Sequence, residues 1–124
     1  MWNYLAVAIG GVIGCCARYG VTQLLQLIYG RAFPLATFII NVAGCFLMGL
    51  LFFLTLERLS VGPTLRTAIL TGGLGGFTTF STFAMEALLL VEDGETRTAV
   101  IYVIASVLLG LAAAFAGALI ARSM

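Results

Sequence analysis

The sequence predicts an all-α membrane protein built from four transmembrane helices. Three observations carry this. The composition is 62% hydrophobic and 9% charged, with a mean hydropathy of +1.16. Four long apolar blocks are separated by short turn-rich connectors, and no run alternates as a membrane barrel strand requires. Soluble domains carry about 25% charged residues, and in lipid the helix is the natural single-chain spanning element because it satisfies its own backbone. The 124 residues read as a single transmembrane domain, residues 1-124.

The first block, Trp2 to Tyr29, has no basic segment ahead of it and no soluble domain behind it, so it is expected to stay as a membrane helix. The second runs from Leu35 to Leu56, the third from Leu65 to Val91 and the fourth from Thr98 to Ala121. Each exceeds the roughly 20 residues needed to cross the hydrocarbon layer. The connectors, Gly30 to Pro34, Glu57 to Pro63 and Glu92 to Arg97, are turn-like and leave no room for an extramembrane domain.

Glycines and small residues mark close helix approach: Gly10 and Gly14 in span one, Gly44 between Ala43 and Cys45 in span two, and Gly110, Ala113, Ala114 and Gly117 in span four. The cysteines Cys15, Cys16 and Cys45 lie in apolar segments and read as small packing residues. With no histidine, a zinc site is not expected.

The third span contains the stretch TGGLGGFTTFSTF, Thr71 to Phe83. Gly72, Gly73, Gly75 and Gly76 each cost about 1 kcal/mol against alanine in a helix interior, so a break in the helix is expected there. Backbone freed at membrane depth must be satisfied by protein, water or an ion. Two readings stay open: a hinge or tight crossing, or free carbonyls holding a small hard cation such as sodium. A phosphate-binding loop is excluded because the chain has no lysine, so neither nucleotide nor, given a net charge of +1 and no basic cluster, nucleic acid is expected.

After the break, helical spacing places Phe80 and Phe83 on one face and Thr79, Thr82 and Glu86 on its neighbour, with Phe77 and Ser81 close by. The rings are either packing or part of an anion path, since an aromatic edge is positive and can stand beside hydroxyl donors in place of water. Thr37 and Asn41 in span two, and Tyr102 and Ser106 in span four, each form an i, i+4 polar pair. The Asn41 amide serves either an anion or a neighbouring helix, and Tyr102 is either on the path or in the interfacial belt. Arg18 and Glu86 are the charges within spans, where ionisable groups are functional candidates; they pair with each other, snorkel or face a water-filled path.

With four spans both termini share a side, which collects Arg58, Arg66 and Arg122 against Arg31 and Arg97, with Arg18 nearer the second side. So even a count permits dual topology and, through it, an antiparallel homodimer. Four short helices enclose little alone, and a dimer related by an axis in the membrane plane supplies a pathway.

Three motifs then give a family resemblance over essentially the whole length: GGVIGCCARY (Gly10 to Tyr19), ATFIINVAGCFLMG (Ala36 to Gly49) and GGFTTFSTF within the third span. The chain resembles the Fluc (CrcB) fluoride channels. The resemblance implies an antiparallel dual-topology homodimer in the cell inner (plasma) membrane, surrounded by lipid, with two pores that let cytoplasmic fluoride out passively and relieve its toxicity. It implies a structural sodium ion at the dimer centre on the backbone carbonyls of Gly75 and Thr78. Phe80, Phe83 and Asn41 then line the pore, with Ser81, Thr82, Thr37 and Tyr102 as further pathway residues and Glu86 and Arg18 adjoining them. Cys15 and Cys16 stand where small residues such as alanine are common in the family, a difference of packing. The alternative is a dual-topology, proton-coupled exporter resembling the small multidrug transporters, with Glu86 as its proton-binding carboxylate; the usual acid of those proteins lies in the first span, where this chain has Arg18.

Overall fold

The structure, a computed structural model, describes residues 1–124 and contains helices and no strands. Helix α1 spans Trp2–Tyr29, and α2 spans Leu35–Phe53 and runs on through a π-helical turn, Leu54–Arg58. The third span is compound: α3 (Pro63–Thr67), a π-helical segment (Ala68–Leu74), α4 (Gly75–Phe77), two extended residues, and α5 (Phe80–Glu92). Helix α6 covers Thr96–Ser123. Four stretches, Trp2–Tyr29, Leu35–Arg58, Pro63–Glu92 and Thr96–Ser123, are long and apolar enough to cross a membrane.

The ends lie close to the expected ones and run slightly further into polar sequence. Span three starts at Pro63 because proline at the first helical position forfeits only an N–H that has no helical partner anyway. Gly30 and Gly94 adopt φ of 79° and 81°, where L side chains are strained, and so let the chain turn at the ends of α1 and α5.

Only 17 of 124 residues are buried, and apolar side chains cover the outside of every span. Such a surface is stable against lipid rather than water, so this is a multi-pass membrane protein. Internally α6 packs along α2, while α1 packs along the π-helical segment and α4. Both contacts depend on missing Cβ atoms. A methyl group on Gly14 would run into the Gly73 carbonyl, and one on Gly117 into the Phe46 carbonyl.

Gly14→Ala is therefore expected to lower the thermal midpoint in detergent by an amount matching about 1–3 kcal/mol of overpacking. Gly20→Ala, with nothing within 4 Å of its Cβ, is expected to be neutral or slightly stabilising. Equal midpoints for the two variants would refute the crossing.

At the end that carries both termini, Arg58, Arg66 and Arg122 gather as a four-span chain requires. Arg66 Nε donates to Thr55 Oγ1 at 3.1 Å and its guanidinium lies 4.5 Å from the Phe52 ring centre. Arg58 donates to the Arg122 carbonyl at 2.8 Å, and Arg122 lies 4.1 Å from the Phe53 ring centre.

The helix interruption does not fall where the glycines predict it. Gly72 to Gly76 stay helical, partly as a π-helix, and the extended residues are Thr78 (φ −85°, ψ 159°) and Thr79 (φ −152°, ψ 117°). The glycines serve approach instead: a Cβ on Gly72 would lie 2.7 Å from the Val7 carbonyl oxygen and one on Gly76 2.9 Å from that of Gly11. Opening a helix in lipid is tolerated only where other groups replace its hydrogen bonds, and those groups stand beside the threonines.

Candidate functional site

Asn41, on α2, supplies the replacement. Its Nδ2 donates to the Thr79 carbonyl at 3.0 Å, and its Oδ1 accepts from the Thr79 N–H at 2.8 Å. The side-chain amide thus pairs with Thr79 as a second strand would, giving one of its hydrogens to the neighbouring span. One of its two amide hydrogens is still available. Thr79 Oγ1 then caps α5 by accepting from the Thr82 N–H at 3.3 Å, and it lies 3.0 Å from Thr82 Oγ1. Thr79 is therefore the helix cap and not a member of the side-chain face that helical spacing suggests.

The carbonyls around the interruption divide into two sets. Leu74 accepts from the Thr78 N–H and hydroxyl, Gly76 accepts from Arg18 Nε at 3.0 Å, and Thr79 accepts from Asn41. The Gly75 and Thr78 carbonyls receive no donor, because the N–H groups that a continuous helix would send to them, those of Thr79 and Thr82, are bonded to Asn41 and to the Thr79 hydroxyl. Arg18 thus neither pairs with Glu86 nor snorkels; it holds a carbonyl of α4 from α1.

Beside the interruption lies an open groove of about 410 Å³ between α2, the third span and α6. Asn41 and Cys45 form one wall, Ser106 and Gly110 the other, and Thr79, Phe80 and Phe83 close the end. The Ser106 hydroxyl is buried and has no hydrogen-bond partner. Phe80 and Phe83 lie with ring centres 5.5 Å apart, but their exposures differ sharply, 78% against 8%. Phe80 projects outward at the groove's edge while Phe83 is core.

A second polar cluster adjoins the first through Phe83, whose ring centre is 5.1 Å from that of Tyr102. Thr37 Oγ1 donates to Glu86 Oε1 at 2.5 Å, and the Tyr102 hydroxyl donates to Glu86 Oε2 at 3.3 Å. Tyr102 is fully buried, which removes it from any interfacial belt. Phe33 stacks edge-on against it at 5.5 Å. Of the residues singled out in the sequence, Asn41, Thr78, Phe80 and Phe83 meet in the groove, and Thr37, Tyr102 and Glu86 form the adjoining cluster. Ser81 and Gly75 are exposed outside both, and Arg18 reaches the interruption from α1.

The family model described as "CrcB-like protein, Camphor Resistance (CrcB)" matches residues 5–118. The chain belongs to the CrcB family. It is 57% identical over 117 residues to a protein of Acidithiobacillus ferrooxidans, covering 94% of each chain. It is 46% identical over 116 residues to one of Magnetococcus marinus, again with 94% of each covered. To one of Rhizobium etli it is 45% identical over 124 residues, 100% of this chain and 99% of the relative. All three relatives are named fluoride-specific ion channel FluC.

Two features of this CrcB-family chain escape sequence reasoning. Thr79 as a cap is signalled only by a hydroxyl residue three positions before another, a pattern that TTFST repeats too often to single one out. Phe33 sits in a connector, outside every helical periodicity, and nothing in its spacing points to Tyr102.

Proposed function

We propose that this chain is a fluoride-selective channel that lets cytoplasmic fluoride leave the cell passively, down its electrochemical gradient, and so relieves fluoride toxicity. It acts as an antiparallel dual-topology homodimer in the inner (plasma) membrane, with two pores per dimer. One observation carries the reading: the spare amide hydrogen of Asn41, the unpartnered Ser106 hydroxyl and the rings of Phe80 and Phe83 converge on one groove, in a chain whose relatives are named fluoride-specific ion channels.

A small, hard anion loses a large hydration free energy on entering such a groove, and neutral donors with positive ring edges replace it without binding the ion too tightly to leave. Asn41, Phe80 and Phe83 meet the anion at the interruption. Thr37 and Tyr102 continue the path beyond Phe83, with Glu86 fixing both hydroxyls. Ser81, exposed, and Thr82 face the side that a second copy covers, and the 78% exposure of Phe80 beside an open groove supports a partner there.

A sodium ion at the dimer centre is part of the proposal. The residues fit it: the Gly75 and Thr78 carbonyls are without donors, and such oxygens are the hard neutral ligands a small cation takes. When bound, the ion supplies positive charge that ties together the interrupted spans of both copies. Arg18 keeps the Gly76 carbonyl out of that set.

Liposomes containing the purified chain are expected to release fluoride faster than empty ones with no proton gradient. A strict requirement for an opposing proton gradient would favour the coupled exporter instead. Protein refolded from denaturant in sodium is expected to recover dimer, whereas refolding in N-methylglucamine is expected to yield less; equal recovery would remove the sodium ion from the proposal.

A further inference from the structure

A second cleft, of about 340 Å³, lies between α5 and α6 and is lined by apolar side chains alone. Ala87 and Ala99 form its floor, Leu88 and Val91 one wall, and Val100 and Ile104 the other. The four wall residues are 47–53% exposed, so the cleft opens on the outside of the bundle, away from the groove at Asn41. It descends from the polar end of both helices for about 6 Å, four residues of helix rise.

The segment beyond this cleft, Glu92 to Arg97, carries three carboxylates (Glu92, Asp93 and Glu95) and one cation (Arg97). Glu92 stands one turn beyond Leu88 on α5, and Arg97 one turn before Val100 and two before Ile104 on α6, so each continues a wall of the cleft toward the headgroup layer. Both side chains are exposed, and neither takes part in an ion pair or a side-chain hydrogen bond. The neighbouring Glu95 instead accepts from the Thr98 hydroxyl.

We propose that the α5–α6 cleft is a binding site for an ethanolamine phospholipid, with its phosphate on Arg97, its ammonium on Glu92 and the upper part of one acyl chain against the apolar walls. Charge complementarity selects this occupant. An apolar slot at the membrane surface takes hydrocarbon, the single cation at its rim takes phosphate, and the carboxylates beside it take a primary ammonium that can donate hydrogen bonds. A glycerol headgroup offers Glu92 neutral hydroxyls and no cation to offset its charge, and a choline headgroup has no N–H to donate. The site makes no use of the anion groove and stands or falls separately from it.

The test uses the full-length protein equilibrated in bilayers of equimolar phosphatidylethanolamine, phosphatidylglycerol and phosphatidylcholine, extracted gently and weighed by native mass spectrometry. Phosphatidylethanolamine is expected to be retained about fivefold over either competitor, the factor for one surface charge contact. Glu92→Gln is expected to erase that preference, Arg97→Gln to lower retention of all three lipids, and Val100→Trp to remove bound lipid by filling the cleft. Equal retention of the three lipids, a preference for phosphatidylglycerol, a preference that survives Glu92→Gln, or retention unchanged by Arg97→Gln would overturn the site. Conversion of dimer to monomer by Val100→Trp would overturn it too, because a second copy of the chain would then be the occupant.

Discussion

Asn41→Asp is expected to slow fluoride efflux by roughly a hundredfold or more, the cost of removing one well-placed donor from a buried anion site. Aspartate can still accept from the Thr79 N–H, so the interruption keeps half of its clasp. It cannot donate to the Thr79 carbonyl, it has no hydrogen for an anion, and it adds a repelling charge. Asn41→Leu goes further and leaves both the N–H and the carbonyl of Thr79 without partners at membrane depth, each at a cost of about 1–3 kcal/mol. That variant is expected to lose thermal stability together with efflux. The pair separates the two duties of Asn41, holding the backbone and meeting the ion. Wild-type efflux in Asn41→Asp liposomes would remove this residue from the path.

The second large effect is expected at the phenylalanine pair, and the structure makes one member the cleaner probe. Phe80 is 78% exposed, so Phe80→Ile removes little packing within the chain. Its efflux is nevertheless expected to drop about tenfold or more, equivalent to losing roughly 1.4 kcal/mol from the barrier when the positive ring edge is gone. Phe83→Ile is expected to cut efflux similarly but also to destabilise the fold, because Phe83 is 8% exposed and lies against Tyr102. Efflux traces and thermal melts on both variants distinguish the two. Unchanged flux in both would sink the anion path at these rings.

The fold was legible because lipid imposes one severe condition, that every backbone group be satisfied internally, and the sequence answers it with four uncharged blocks and short connectors. The presence of an interruption in the third span was legible from composition; its place was not. Glycine propensity pointed to Gly72 to Gly76, but propensity is a cost of about 1 kcal/mol per residue and tertiary partners outweigh it. At Gly72 the nearby backbone of α1 rewards a helix without a side chain, whereas at Thr79 an amide from α2 rewards an open backbone. Neither neighbour can be read from the third span itself.

The polar residues divide similarly. Spacing along one helix brought Thr37 near Asn41 and Tyr102 near Ser106, but it could not say that Thr37 and Tyr102 meet on Glu86 while Asn41 and Ser106 face another cavity. Arg18 and Glu86, the two charges that the sequence invites one to pair, bind a carbonyl and two hydroxyls in different places.

By itself, then, the sequence determined the solvent of this protein, its four helices, their approximate ends and the residue types suited to a small anion, since these follow from hydropathy, turn chemistry and side-chain donors. Only the tertiary structure decided which carbonyls are free, which threonine caps a helix and which ring faces outward. The carbonyls are sorted by Asn41 and Arg18, partners 38 and 58 positions away in the chain, and a hydrogen bond across that distance leaves no periodicity to read.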